Sequence, residues 1–207
     1  MIKLKEILME RISAVVYHYT NIPAFDNIVR TNKFRLSDNP TPDPDLEPYN
    51  VNEDKYKYYM SFARTRTPGY SRISREAYSK PLSIRFQLDG NKINSNYKGK
   101  PFDYFGALKA NAIKKNEYDE YEDRIYNTDM YIPKALSYIT RVDISFDLSD
   151  PSLGVKGVRN MLVSAIKNLL SSTNIPIFGY TNDADFHSQL RGIQIKDINV
   201  LQNILKQ

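Results

Sequence analysis

The chain has no cysteine in its 207 residues. Disulfides, thiolate nucleophiles and Cys-ligated zinc are therefore excluded. Histidine is nearly as scarce, with two residues, His18 and His187. The glycine-rich loops GxGxxG and GxxxxGKS/T are absent, so the usual nucleotide-binding turns are missing. No GxSxG elbow accompanies His187, which argues against a serine hydrolase and leaves that histidine as a surface or capping residue. No apolar run approaches the roughly 18 residues of a membrane span. The opening stretch "MIKLKEILMERIS" lacks the apolar core and cleavage site of a secretory signal. It reads as an amphipathic helix over about 2–12, with Leu4, Ile7, Leu8 and Ile12 on one face. These absences point to a cytoplasmic protein with no membrane partner, and they leave its oligomeric state open.

What the chain does have is tyrosine, 16 residues, with 9 phenylalanines and a net charge of +5. Tyrosine packs through its ring while its hydroxyl seeks a partner, which suits a wet cleft. A basic surface favours phosphate-bearing partners such as dinucleotides or nucleic acid, although solubility alone also calls for net charge. Against this background, Glu117, Asp119, Glu120, Glu122 and Asp123 crowd into "NEYDEYEDRIY". Without them the remainder is markedly more basic.

Local patterns divide the chain into irregularly mixed strands and helices, which argues for an α+β class rather than a βαβ repeat. "SAVVYHYT" reads as a buried strand. "NIPAFDNIVRTNKF" reads as a helix with Asn21 as cap, Pro23 in the first turn and Phe25, Ile28 and Val29 as its apolar stripe. "KFRLS" is a short strand. Pro40, Pro42, Pro44 and Pro48 make 38–54 a long loop, expected to close over a substrate. "YKYYMSFARTR" and "PLSIRFQLDG" are strands, the second with Leu82, Ile84, Phe86 and Leu88 alternating and Asp89-Gly90 turning the chain. "DYFGALKANAIKKN" is a helix, out of phase with the acidic run, which therefore falls on a loop and strand start. "SYITRVDISFDL" is a strand and "GVKGVRNMLVSAIKNLLSS" a long helix. Short strands and turns follow, and "IKDINVLQNILKQ" closes the chain as a helix. We expect a core over 1–149 and an α/β extension over 150–207 packed on it.

Three groups of residues carry possible chemistry. In "VYHYT", His18 and Thr20 share one strand face, with Tyr17 and Tyr19 on the other. That pair is either a satisfied half-buried histidine with its neighbour or a donor set for a polar ligand. In "MSFARTRTPGY", Ser61 and Ala63 share a face opposite Met60 and Phe62. Arg64 and Arg66 then form either a basic strand end or a grip on phosphate oxygens. In the acidic run, Glu120, Glu122 and Arg124 share one parity, and Asp119, Tyr121 and Asp123 the other. Adjacent carboxylates repel, which raises a pKa or demands a cation. The run is a solvated turn, a proton-handling pair, or a hard-oxygen metal site built from Glu120, Glu122 and Asp123.

In this order the three groups resemble the NAD-dependent ADP-ribosyltransferases found among bacterial toxins and phage-encoded modifying enzymes. The likeness covers roughly residues 14–147. It rests on "HYT", on "MSFARTR" and on "EYEDRIY", with "YIPKALSYITRVDIS" resembling the strand behind the catalytic Glu. The chain departs from the pattern at Tyr19, where a glycine is common, and at Ser61-Phe62-Ala63, where Ser-Thr-Ser is common. The resemblance implies a split mixed and antiparallel sheet flanked by helices, with NAD as substrate and a macromolecular acceptor, protein or nucleic acid. It implies that Glu122 is the main catalyst and that Glu120 serves the acceptor. His18 and Thr20 would anchor the NAD ribose and nicotinamide, and Ser61 would support Glu122 or the nicotinamide ribose. Tyr59 or Tyr70 would stack on nicotinamide, and Arg64 or Arg66 would face the pyrophosphate. The alternatives from other classes are a basic, Tyr-rich binding module without catalysis and a metal-dependent nuclease using the acidic cluster.

Overall fold

The computed structural model describes residues 11–38, 57–64, 84–102, 122–146 and 155–205. In chain order these form strands β1 (Val15–Thr20), β2 (Lys33–Arg35), β3 (Ser37–Asp38), β4 (Tyr58–Ala63), β5 (Ile84–Asp89), β6 (Lys98–Phe102), β7 (Glu122–Asn127), β8 (Tyr131–Pro133), β9 (Ile139–Ser145), β10 (Ile177–Tyr180) and β11 (Ile193–Gln194). The helices are α1 (Ile22–Thr31), α2 (Gly90–Asn94), α3 (Lys156–Ser172), α4 (Asp183–Ser188) and α5 (Ile198–Ile204), with a 3₁₀ turn at Ala135–Ser137. Of the expected elements, the proline-rich loop and the helix over "DYFGALKANAIKKN" lie outside the described residues. So does all of the N-terminal helix except its last two positions.

The chain forms two compact units. The first gathers its described residues from the spans Met1–Val16, Arg35–Thr65 and Asp89–Ile132. Its strands run β3-β4-β7-β6, all antiparallel. Alternation gives β4 and β7 two unlike faces. Met60, Phe62 and Ile125 are buried on one of them, where Gly99 of β6 lies against Ile12. Ile12 is itself fixed by two hydrogen bonds with Asn94, whose side chain accepts from the Ile12 N–H and donates to the Ile12 carbonyl, both at 2.9 Å. Tyr59, Ser61 and Arg124 hold the other face and are half-buried.

The Asp89-Gly90 pair does not close a hairpin. Asp89 caps α2, its Oδ1 accepting from the Lys92 N–H at 3.0 Å. Gly90 is needed for space: a Cβ there would lie 1.8 Å from the Ser13 carbonyl oxygen, and the Gly90 N–H donates to the Ala14 carbonyl at 2.8 Å. An Asp-Gly pair signals a tight turn only when no helix follows to be capped.

The second unit takes its described residues from Tyr17–Phe34, Arg66–Leu88 and Pro133–Gln207. Its strand order is β11-β10-β9-β5-β1. β5 and β9 are antiparallel, β9 and β10 parallel, and β10 and β11 antiparallel, so this part of the sheet is mixed as expected. One face carries Ile84, Phe86, Val142 and Ile144, all fully buried. Phe25 of α1 and Phe34 pack on Phe86 at centroid distances of 5.8 and 6.1 Å. α3 packs on α1 with Leu162, Ala165, Ile166 and Leu169 inward. The α1 signals work as read: Asn21 Oδ1 accepts from the Ala24 N–H at 2.9 Å, and Asn32 ends the helix in the left-handed region at φ 53°. Asparagine tolerates that conformation. Its side chain also accepts from the Leu136 N–H, tying the 3₁₀ turn to the helix end. Residues 155–205 belong to this unit, in which β10 extends the strand run.

Candidate functional site

In the first unit, β7 begins at Glu122, so the end of the acidic run enters a strand, the condition on which the parity reading rested. The register pairs Ala63 with Glu122, Phe62 with Asp123, Ser61 with Arg124 and Tyr59 with Tyr126. Directly opposed residues share a face, so the Ser61 and Glu122 positions fall on one face of neighbouring strands. They are diagonal neighbours, about 7–8 Å apart.

Asp123 has the opposite parity and a different part to play. Its side chain is wholly buried. One carboxylate oxygen accepts from the Ser13 N–H at 2.7 Å and the other from Arg64 Nε at 2.7 Å. Both oxygens are committed to the fold, which weighs against Asp123 as a metal ligand. Among the described residues no cluster of three His, Cys, Asp or Glu forms. The same pair commits the Arg64 Nε to Asp123. The neighbouring Tyr59 ring has the Arg124 guanidinium 4.6 Å above its centroid, so one ring face is already covered. Tyr70, Arg66 and Glu120 lie outside the described residues.

In the second unit, β1 carries His18 and Thr20 on one parity and Tyr17 and Tyr19 on the other. Thr20 is buried, and His18 is half-buried with its ring edge-on to Phe34 at 6.3 Å. His187 lies in the last turn of α4, half-buried against Phe186 at 5.3 Å.

Behind β1 the structure holds a polar cluster that the sequence reading did not identify. Arg85 of β5 and Asp143 of β9 stand opposite each other, both fully buried. Asp143 accepts from Arg85 Nε and Nη2 at 3.1 and 2.8 Å, from Arg141 Nε at 2.7 Å, from the Tyr180 hydroxyl at 3.1 Å and from Gln189 Nε2 at 2.7 Å. Arg85 Nη2 also donates to the Phe186 carbonyl at 2.8 Å, and the guanidinium sits 4.7 Å from the Phe186 ring and 6.0 Å from that of Tyr19. Burial depresses the pKa of Arg85, but Asp143 and Tyr19 outweigh it and the net shift is upward. Burial likewise raises the Tyr19 phenol, against the pull of Arg85. Tyr180 is pushed up to about 12 by burial and then by the charge of Asp143, with Arg141 pulling the other way. The available signal was one arginine in the apolar run "SIRFQL" and one aspartate in "RVDIS". A single opposite charge in each of two core strands invites a cross-strand pair.

No protein-family model matches the chain, and no curated protein matches it in sequence. Solved structures do. The fold is that of an ADP-ribosyltransferase, with the mixed parallel and antiparallel sheet that the sequence resemblance implied. The structures that share it are of DarT from Thermus sp. 2.9. The complex of DarT with NAD⁺ aligns over 81% of this chain and 95% of that one, with 12% identity and a TM-score of 0.50. The complex with ADP-ribosylated single-stranded DNA aligns over 86% and 99%, with 13% identity and a TM-score of 0.51.

Proposed function

We propose that this protein is a mono-ADP-ribosyltransferase that uses NAD as substrate, releases nicotinamide and transfers ADP-ribose to a nucleic acid. The observation that carries the reading is the β4–β7 register, which makes Ser61 a diagonal neighbour of Glu122 in a fold whose relative DarT was solved with NAD⁺ and with ADP-ribosylated single-stranded DNA. The basic net charge favours a phosphate-rich acceptor over a protein one. We assign its action to the cytoplasm.

The chemistry follows from the bond that breaks. As the nicotinamide–ribose bond lengthens, positive charge develops on the ribose. The Glu122 carboxylate holds the ribose 2′-hydroxyl and stabilises that charge, an electrostatic effect strongest in the transition state. Ser61 orients Glu122. His18 and Thr20 anchor the ribose and nicotinamide, and Tyr70 stacks on the departing ring. Arg64 or Arg66 takes the pyrophosphate. Glu120 accepts a proton from the acceptor nucleophile as it attacks.

The test is incubation with labelled NAD and, separately, a single-stranded oligonucleotide, a duplex of the same sequence and a protein lysate stripped of nucleic acid. Label is expected on the single strand. Glu122→Gln should lower transfer by about 10²-fold or more while the variant unfolds like the parent. Unchanged transfer in that variant removes Glu122 from its role. Label only on protein overturns the acceptor.

A further inference from the structure

We propose that Asp123 is a positioning residue: it holds the end of β7 at which Glu122 stands, and so sets the place from which Glu122 acts. The inference rests on the transferase reading above and adds to it a group that works through Glu122. The Glu122 backbone lies where three strands stop together. It is the first residue of β7, opposite Ala63, the last of β4, and opposite Phe102, the last of β6. The end rung of a sheet is supported by the ladder from one side only, and strand ends open first. A reacting group placed there needs another hold, because a misplacement of about 1 Å can cost about 10²-fold in rate.

Asp123 supplies that hold. It stands on the core face of β7, in line with Ile125 and opposite Phe62, both buried. An apolar residue is the ordinary choice there, and a carboxylate taken out of water is costly unless it is fully paired. Asp123 is paired at both oxygens, and both bonds go to groups outside the β4-β7-β6 ladder. Oδ2 accepts from the Ser13 N–H and Oδ1 from Arg64 Nε, each at 2.7 Å. Ser13 is a fixed point. The Ile12 N–H and carbonyl before it are bonded to Asn94, and the Ala14 carbonyl after it accepts from the Gly90 N–H. Arg64 directly follows Ala63, so the second bond fastens the end of β4 to the start of β7. Charge-assisted bonds of this kind are the stronger ones, and together they pin the rung beyond what strand pairing gives. An apolar side chain at 123 would suit the same burial and hold neither partner.

The experiment measures kcat for nicotinamide release at saturating NAD, with the single-stranded oligonucleotide present, so that any effect of Arg64 on NAD affinity does not enter. The full chain is compared with Glu122→Gln, Asp123→Asn, Asp123→Leu and the double variant Glu122→Gln, Asp123→Asn. Ile125→Val is the control: it trims the next buried residue on the same face of β7 and touches neither bond of Asp123. Asp123→Asn keeps an acceptor for the Ser13 N–H and loses the charge that holds Arg64, so kcat should fall about tenfold. Asp123→Leu loses both bonds, and kcat should fall about 10²-fold. Adding Asp123→Asn to Glu122→Gln should cause no further loss, because a residue that acts through Glu122 has nothing left to act on. Ile125→Val should unfold at a lower urea concentration and turn over like the parent. Amides at the start of β7 should exchange faster in Asp123→Asn than in Ile125→Val. Parent-like kcat in both Asp123 variants, with Glu122→Gln impaired, overturns this inference and leaves the transferase reading standing. So does a full further loss in the double variant, or a loss in Ile125→Val as large as that in Asp123→Asn. Should Asp123→Leu fail to fold, Asp123→Asn and the double variant decide the same question. Parent-like kcat in Glu122→Gln, or no nicotinamide release by the parent, overturns the reading and takes this inference with it.

Discussion

Arg85 and Asp143 face each other across β5 and β9 with Nη2 2.8 Å from Oδ2, and neither side chain reaches solvent. A buried pair of this kind costs much to desolvate, so its value shows when one half is removed. Asp143→Ala leaves a buried guanidinium without its counter-charge and removes the acceptor of Arg141, Tyr180 and Gln189 as well. The expected loss is about 3–5 kcal/mol, read from the urea midpoint. The double change Arg85→Met, Asp143→Leu should cost less than the sum of the single changes, because no orphaned charge remains. A loss under about 1 kcal/mol for Asp143→Ala would show that the cluster relaxes around the gap.

The same cluster sets a limit on alkaline stability. Tyr180 has a folded pKa pushed up to about 12, against an unfolded value near 10. A group with a raised folded pKa contributes stability that is complete below the unfolded value and is lost as pH rises through the folded one. Stability should therefore fall between about pH 10 and pH 12. Tyr19, also shifted upward, adds to the fall in the same direction. Absorbance of tyrosinate followed against pH should show a late-titrating component that disappears in Tyr180→Phe. That variant should also unfold less steeply with pH, after an initial cost of about 1 kcal/mol near neutrality for the lost hydroxyl. Titration of all tyrosines in a single early step would contradict the buried geometry.

What the sequence disclosed, and what it hid, follows the range of the interactions. β1, α1 and α3 announce themselves through contacts a few residues apart. Asn21 caps a turn three residues away, and Leu162, Ala165, Ile166 and Leu169 recur at helical spacing. Parity alone separated Glu122 from Asp123, because strand alternation is local geometry. The partners of Asp123 were not legible, since Ser13 lies 110 residues away and Arg64 lies 59. Arg64 was read with Arg66 as a candidate for the pyrophosphate, and the bond of its Nε to Asp123 was not foreseen. Arg85 and Asp143 were missed for the same reason, being 58 residues apart in sequence and joined only by strand pairing. At Asp89-Gly90 a local rule was present but was the wrong one, because a helix begins there and the backbone of residues 13 and 14 comes too close for any side chain.

That close approach gives a sharp substitution test. Gly90 has an ordinary backbone conformation, so any effect of Gly90→Ala is steric. A Cβ 1.8 Å from the Ser13 oxygen forces the 13–14 segment or the start of α2 to move. The expected cost is about 1–3 kcal/mol, measured by denaturant unfolding, with loss of the protection of the Gly90 amide that now donates to Ala14. Elsewhere the same change in a helix would be neutral or favourable, so a stabilised Gly90→Ala protein would contradict the contact.

The Arg64–Asp123 pair separates folding from ligand binding at one residue. Asp123 is wholly buried while the Arg64 side chain is 28% exposed, so the pair is neither a surface bridge nor a sealed one. Asp123→Asn keeps a polar partner for the Ser13 N–H and removes the charge; Arg64→Met removes the cation and keeps the aliphatic stem. Each should destabilise the chain by about 1–3 kcal/mol, and the double variant should lose less than the sum, with a coupling of about 1 kcal/mol or more. The NAD affinity of Asp123→Asn then decides what else Arg64 does. If Arg64 serves only the fold, NAD binding in Asp123→Asn stays at the parent value once the protein is shown to be folded. If Arg64 also reaches the pyrophosphate from the position Asp123 gives it, releasing it should weaken NAD several-fold, and Arg64→Met should weaken it further. Calorimetric titration of NAD into the two single variants distinguishes these outcomes, because a purely structural pair leaves the affinity of the folded fraction unchanged.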